Sequence, residues 1–371
     1  LFVACGDWTK TLAYERRAGG RAAALHAPRA AIQQFSRALA ASLELGLLPD
    51  ASLLRARGRA LEVAGSFQAA HDDYAQVLAA AREAGDSALQ WQALIDLGGL
   101  WRERDYGRAG DYVRQALDLA RTMDDPATLA RSLNLVGNWH LNADEPVEAR
   151  RYHEEALAAS EQTRDRHGLA ATLDFLGAAS YFGGDLATGA ASYEHAVALY
   201  RELDDLQGLC ACLVMLGTRA ANYLHEPLAW QATSPDACAR DLEEAADVAR
   251  RIGWRSGEAF ALLYVGFVLG AWGGYARALP ALRAGKEIAA EIEHGQWLTA
   301  AHVGMGALLL DLLALAPARE HLERAREMAA GIGSRFSLRA ASAFLASTCA
   351  AQRDFARAEA VLRGVPVADA A

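Results

Sequence analysis

The sequence predicts an all-α solenoid of about nine helical hairpins. Three observations carry that prediction. First, an apolar residue followed by Gly recurs, at Leu97-Gly98, Val136-Gly137, Leu176-Gly177, Leu216-Gly217, Val265-Gly266 and Met305-Gly306. Gly58 and Gly19 extend the series backward and Ala346 extends it forward, with spacings of 39, 40, 39, 40, 40, 49, 40 and 40 residues. Second, more small residues keep the same phase, twelve positions on, at Ala31, Ala70, Ala149, Gly189, Ala278, Ala318 and Ala358. Third, the chain is 53% hydrophobic, with more than eighty alanines and only nine prolines among 371 residues. Ala favours helices and lets their backbones approach, and few prolines interrupt them. No segment alternates with period two, so no strand is predicted.

Taken in order, the units fall near 8–46, 51–86, 87–125, 126–165, 166–205, 206–254, 255–295, 296–334 and 335–371, as one solenoid over 1–371. Within each unit the pattern reads helix, short turn, helix. The turns are marked by Gly65, by Gly183-Gly184-Asp185 and by Gly273-Gly274. Between units stand helix-start signals such as Asp124-Asp125-Pro126, with Asp as N-cap and Pro in the first turn. The single spacing of 49 places an insertion of nine residues after Gly217, within 222–236. It contains His225-Glu226-Pro227-Leu228-Ala229-Trp230, and it either caps the inner groove or pads the outer side.

Small residues at these points, with Phe35, Tyr74, Tyr193, Leu282, Leu322 and Leu362 between them, resemble the tetratricopeptide repeat. Residues 166–205 fit best, with Leu176-Gly177 in the first helix and Tyr193-Glu194-His195-Ala196 in the second. The usual form of that repeat has about 34 residues; the longer unit here is similar to those of kinesin light chain and many bacterial regulators. The resemblance implies a right-handed superhelix whose first helices line a concave groove. Residues 13–39 also look like the start of the repeat region in large bacterial signalling ATPases, LuxR-type activators and adenylyl cyclases with a nucleotide-switch domain. There the repeats act as the sensor or partner-binding part.

Net charge is −9, which speaks against direct nucleic-acid binding. The charge is uneven. Residues 1–60 hold nine Lys/Arg against four Asp/Glu, a net +5. That end is either a solvated basic face or a docking surface for an adjoining ATPase or output domain. Cys5, Cys210, Cys212, Cys238 and Cys349 form no Cys-x-x-Cys pair and read as thiols of a reducing cytoplasm. The start, Leu1-Phe2-Val3-Ala4-Cys5, has no initiator Met and reads as a fragment or processed product; no apolar stretch precedes it as in a lipoprotein signal. Residues 259–276 are uncharged, but four glycines and the repeat register mark them as a buried helix with its turn rather than a membrane span.

Catalytic motifs are missing. Ala284-Gly285-Lys286-Glu287 lacks the hydroxyl and the second glycine of a phosphate loop. His153-Glu154-Glu155 has no second His four residues on. Neither a metal nor a cofactor is implied, and recognition rather than catalysis is the expected function.

The family resemblance places groove residues at −6, −3, −2, +1, +4 and +5 from each anchor glycine. In units two to four these include Arg55, Arg59, Arg102, Arg131, Asn134, Asn138 and Asn142. Three Asn spaced by four form one stripe, and an amide can pair with the backbone of an extended peptide through donor and acceptor at once. The arginines would pair with carboxylates. A solvated polar face is the other reading. In units five to nine the same positions turn apolar, with Phe175, Tyr181, Phe182, Tyr264 and Phe267. They form either a trough for an apolar ligand or rings packed on one another. The expected function is peptide or protein recognition in the sensor or scaffold part of a bacterial regulator. A small-molecule effector sensor using the apolar half, or an enzyme with its site there, are the alternatives.

Overall fold

A computed structural model describes residues 6–25, 27–48, 50–102, 105–143, 145–219, 223 and 234–365. Among these residues the chain forms eighteen α-helices and no strand, in nine consecutive hairpins. They divide into two compact units, one ending at Arg164 and the other starting at Asp165.

The first unit contains α1 (Trp8–Ala24), α2 (Pro28–Glu44), α3 (Ala51–Val63), α4 (Phe67–Ala84), α5 (Ser87–Trp101), α6 (Tyr106–Ala120), α7 (Pro126–Asn142) and α8 (Pro146–Ser160). The second contains α9 (Arg166–Phe182), α10 (Leu186–Glu202), α11 (Leu206–Gly217), α12 (Pro235–Arg251), α13 (Arg255–Ala271), α14 (Tyr275–Glu291), α15 (Gly295–Asp311), α16 (Leu315–Gly331), α17 (Arg335–Ala351) and α18 (Phe355–Arg363).

Local chemistry sets the helix ends. Asp50, Asp86, Asp105, Asp125, Asp165, Asp185, Asp205 and Asp354 each accept from a backbone N–H in the first turn of the helix that follows. Each such cap is worth about 1 kcal/mol. At the turns Gly65, Gly184 and Gly273 adopt left-handed φ of 77°, 83° and 79°, where a side chain would be strained.

The hairpins close at the periodic glycines. A Cβ added at Gly19, Gly58, Gly137, Gly177, Gly266 or Gly306 would strike the side chain sixteen residues later: Phe35, Tyr74, His153, Tyr193, Leu282 or Leu322. Gly98 meets Val113, one residue early, and Gly217 meets Leu242, displaced by the nine-residue insertion. In the first eight hairpins, then, a knob on the second helix fills the hole left by glycine on the first; the ninth has Ala346 at that point. The knobs Tyr74, Tyr193, Leu242, Leu282 and Leu322 are almost wholly buried.

Each odd-numbered helix packs on its hairpin partner. In the second unit α9 also touches α11, α11 touches α13, α13 touches α15 and α15 touches α17. A layer whose alternate members meet in this way lies on the inside of the stack's curve. Its outer layer is tied by ion pairs between successive even-numbered helices, such as Arg201–Glu244 at 2.7 Å and Arg277–Glu243 at 2.8 Å. These exposed pairs are each worth under about 1 kcal/mol and serve mainly to fix register.

The glycine register has a direct test. A Cβ at Gly177 would lie 2.8 Å from the buried Tyr193 ring. Gly177→Ala should cost about 1–3 kcal/mol in urea unfolding. In a Tyr193→Leu background the same change should cost clearly less, because the flexible tip of Leu can give way. Equal costs in both backgrounds would contradict the register.

Candidate binding grooves

The first unit's inner face is polar, but most of its charge is used internally. Arg55 on α3 forms a bidentate pair with Asp96 on α5, one bond by Nε and the other from Nη2 to Oδ1 at 3.2 Å. Gln92 donates to the same Oδ1 at 3.4 Å. Arg131 on α7 stacks over Trp91 on α5, 5.0 Å from the ring centre. The Trp91 Nε1–H donates to Ser132 Oγ at 2.7 Å, and the Ser132 hydroxyl donates to the Thr128 carbonyl. The Arg55–Asp96, Arg131–Trp91 and Trp91–Ser132 contacts each join consecutive inner helices. Arg59 and Arg102 are exposed.

The three asparagines do not form one solvated stripe. Asn134 is buried, and His153 Nδ1 lies 3.0 Å from its Oδ1. It therefore belongs to the glycine–knob seam, beside the tip of the knob, not to the open groove. Asn138 is half-buried and Asn142 exposed, so these two remain on the groove side. The reason is geometric: position −3 points at the second helix. Val214, Leu263 and Val303 occupy the same position and are buried too.

The second unit's inner face is aromatic. Phe175 on α9, Met215 on α11, Tyr264 on α13 and Phe344 on α17 all stand at −2, and all are half-buried. Phe260 stacks on Trp297 at 4.5 Å and meets Tyr264 edge-on at 5.0 Å. Trp297 Nε1 donates to Ser256 Oγ at 2.9 Å, which fixes the indole between α13 and α15. Two of the expected groove rings lie elsewhere. Tyr181 is 3% exposed and packs against Gly189 on α10, because its helix turns position +4 toward the hairpin partner. Phe267 is fully buried against Gly304. Phe182 is exposed and touches Phe336 on α17 edge-on.

Sequence reasoning passed over Asp174, at −3 in α9. Burial pushes its carboxyl up to about 6, although the Cys212 thiol donates to it. It is the acidic member of a column otherwise filled by Val, Leu, Ile, Ala, Asn and Arg. Reading that column down the repeats, rather than each repeat across, would have singled it out.

Most of the insertion lies outside the described residues, but Tyr223 does not. Its hydroxyl donates to Asp311 Oδ2 at 2.8 Å, and its ring meets Gly270 and, edge-on at 6.0 Å, Phe344. These partners stand at +5, +4 and −2 of their repeats. Tyr223 thus lies on the groove side of the second unit, not on its outer side.

No protein-family model matches the chain, and no curated protein is similar to it in sequence. Solved structures are similar in fold. Aspartyl phosphate phosphatase F from Bacillus subtilis superposes with a TM-score of 0.63 at 10% identity, over 96% of this chain and 92% of that one. A Rap protein complexed with competence and sporulation factor gives 0.54 at 13% identity, over 96% and 98%. A signal-transduction ATPase with a tetratricopeptide repeat sensor, from Pyrococcus horikoshii, gives 0.55 at 14% identity. The fold is a tetratricopeptide-like solenoid. The likeness covers 92% of this chain but 51% of the ATPase, so this chain spans about half that protein's length.

The buried seam gives a pH dependence. Burial holds His153 near a pKa of about 4, below the 6.5 of a free imidazole. As pH falls between those values the unfolded chain takes up the proton first, so stability falls over that window. His302, also held to about 4, acts in the same direction. Replacing Asn134 and His153 by the Val and Leu that other hairpins carry there should remove up to about 3 kcal/mol of this acid sensitivity. Urea unfolding at several pH values checks it; an unchanged pH slope would exclude His153 as the source.

Proposed function

We propose that the chain recognises an extended peptide or protein segment in the aromatic groove of its second unit, as the sensor part of a regulatory protein. The observation that carries this reading is the row of half-buried Phe175, Met215, Tyr264 and Phe344, with Phe260 and Trp297 beside it. Such a row lets side chains of a bound segment bury against it without first unpacking the seam. Burying one aromatic side chain is worth roughly 1.5–3 kcal/mol, so two or three contacts suffice for micromolar binding after association costs. A solenoid of similar fold is known in complex with competence and sporulation factor, which supports the reading. In the first unit Arg59, Arg102, Asn138 and Asn142 remain available to a segment with acidic or backbone groups.

Recognition in place of catalysis is part of the proposal, as are a cytoplasmic location and an adjoining ATPase or output domain at the basic end. The described cysteines, Cys210, Cys212, Cys238 and Cys349, are buried thiols, which suits a reducing compartment. Among the described residues no helix is long and apolar enough to cross a membrane.

A random heptapeptide library selected on the purified chain tests the proposal. Selected peptides should be apolar and bind with micromolar Kd by Trp fluorescence. Tyr264→Ala and Phe260→Ala should each weaken binding by about 1–3 kcal/mol while the thermal midpoint changes little. Phe267→Ala should instead lower stability by about 3–5 kcal/mol, since that ring is core. No selected peptide, or selected peptides indifferent to Tyr264 and Phe260, would overturn it.

A further inference from the structure

A cleft of about 660 Å³ on the second unit lies away from the aromatic groove, between α14, α15 and α16. Lys286, His302, His321 and Arg324 line it, with Glu320 and Glu327 among its walls. His302 Nδ1 and His321 Nδ1 are 3.1 Å apart, so one imidazole donates and the other accepts. The rings approach at 4.9 Å.

Lys286, Arg319 and Arg324 line the cleft with Glu320, Glu323 and Glu327, and four of these six charges pair among themselves. On α16, Arg319 pairs with Glu323 at 3.0 Å and reaches Asp354 at 4.0 Å, while Arg324 pairs with Glu327 at 3.1 Å. Arg357 on α18 also reaches Glu323, at 3.6 Å. Lys286 is one of two lysines in the chain. It is half-buried on α14 and has no ion-pair partner among the described residues. Its field falls on both imidazoles. Burial lowers the pKa of His302 first, followed by Lys286, His321 and Arg324. Burial and Lys286 lower that of His321, against the opposing Glu320.

A metal ion suits this place poorly. It would meet the positive field of Lys286 and Arg324, and among the described residues no group of three His, Cys, Asp or Glu stands ready to hold one. An anion meets the opposite situation: an unmatched ammonium, and two imidazoles that become donors on taking up a proton.

We infer that this cleft binds a tetrahedral oxyanion of the phosphate class, seated between the Lys286 ammonium and the paired imidazoles of His302 and His321. Two charges on the anion are needed to draw a proton onto a pair that burial, helped by Lys286, keeps neutral, so a carboxylate is a weaker match. The cleft has room beyond the oxyanion for the organic part of a small phosphoester. Binding raises the imidazole pKa values from their depressed free-state level, and a proton is taken up with the anion. Affinity therefore rises as pH falls from neutral toward the free-state pKa.

Sulfate is the probe of choice, because it stays a dianion across this range where a phosphomonoester, with a second pKa near 6, does not. Calorimetric titration of the full chain at about pH 5.5 and about pH 7.5, at one ionic strength set with chloride, should show saturable binding about tenfold tighter at the lower pH. The heat should vary with buffer ionisation enthalpy as proton uptake demands. Lys286→Met and Lys286→Gln, each checked for an unchanged thermal midpoint, should abolish binding, and acetate should not replace sulfate. Absence of saturable binding, binding that survives both Lys286 variants, or affinity independent of pH would each overturn the inference.

Discussion

Glycine on one helix and a large side chain sixteen residues later on the next form the contact on which the rest of the molecule depends. Removing one Cβ brings two helix backbones together, and the knob fills what remains of the gap. Because the contact repeats at the repeat's own spacing, each hairpin presents the same faces to its neighbours. The knob's chemistry can then vary. Phe35 and Tyr74 serve near the start, His153 in the fourth hairpin, and Leu242, Leu282 and Leu322 toward the end. The hole is constant in shape, so what fills it needs only suitable bulk.

That constraint also decides which positions are free for function. Asn134, Val214, Leu263 and Val303 at −3 are buried beside the tip of the knob, whereas residues at −2 and −6, and Asn138 at +1 and Asn142 at +5, reach the inner face. Where the knob is Leu, the −3 residue is Val or Leu and the seam is wholly apolar. Where the knob is His153, its partner is Asn134, whose amide oxygen meets the imidazole Nδ1 inside the seam. Where the knob is Tyr193, Asp174 lies nearby, and its carboxyl meets both an apolar surrounding and the thiol of Cys212. Polar seam residues thus depend on a set of neighbours across two helices, although among the described residues the Tyr193 hydroxyl is buried without a hydrogen-bond partner. A seam mutation in this protein should be judged by the set and not by the single residue.

The helices, their order and their anchor glycines were legible in the sequence, because spacing and small-residue phase are local signals. The nine-residue insertion was legible too, since Gly217 still finds its knob at Leu242 once it is allowed for. The grooves were only partly legible. Asn134 looked like a groove amide because its neighbours at +4 and +8 are also Asn, and nothing in one helix shows where its partner His153 sits. Arg55 looked available, yet Asp96 stands one residue beyond a full repeat, and the pair closes across the stack. Arg131 likewise rests on Trp91, forty residues before it. Each failure has the same origin. The residue's fate is set by a partner one helix or one repeat away, which helical spacing within a single element does not reveal.

The two inner faces follow from these internal pairings. In the first unit charged and aromatic groups are matched between α3, α5 and α7, so the polar face is largely self-satisfied and only its ends stay open. In the second unit the inner face holds rings, and the polar atoms of two of them are met internally, Trp297 by Ser256 and Tyr223 by Asp311. What such rings lack is apolar cover, and only an added surface can supply it. Tyr223 supplies some of that cover at Gly270 and Phe344, and it comes from the one segment that breaks the repeat. A ligand that lay along this face as far as Phe344 would have to share it with Tyr223 or displace it. The insertion therefore bears on affinity at that end of the groove, and the rings around Phe260 and Trp297 are where contact can form without that competition.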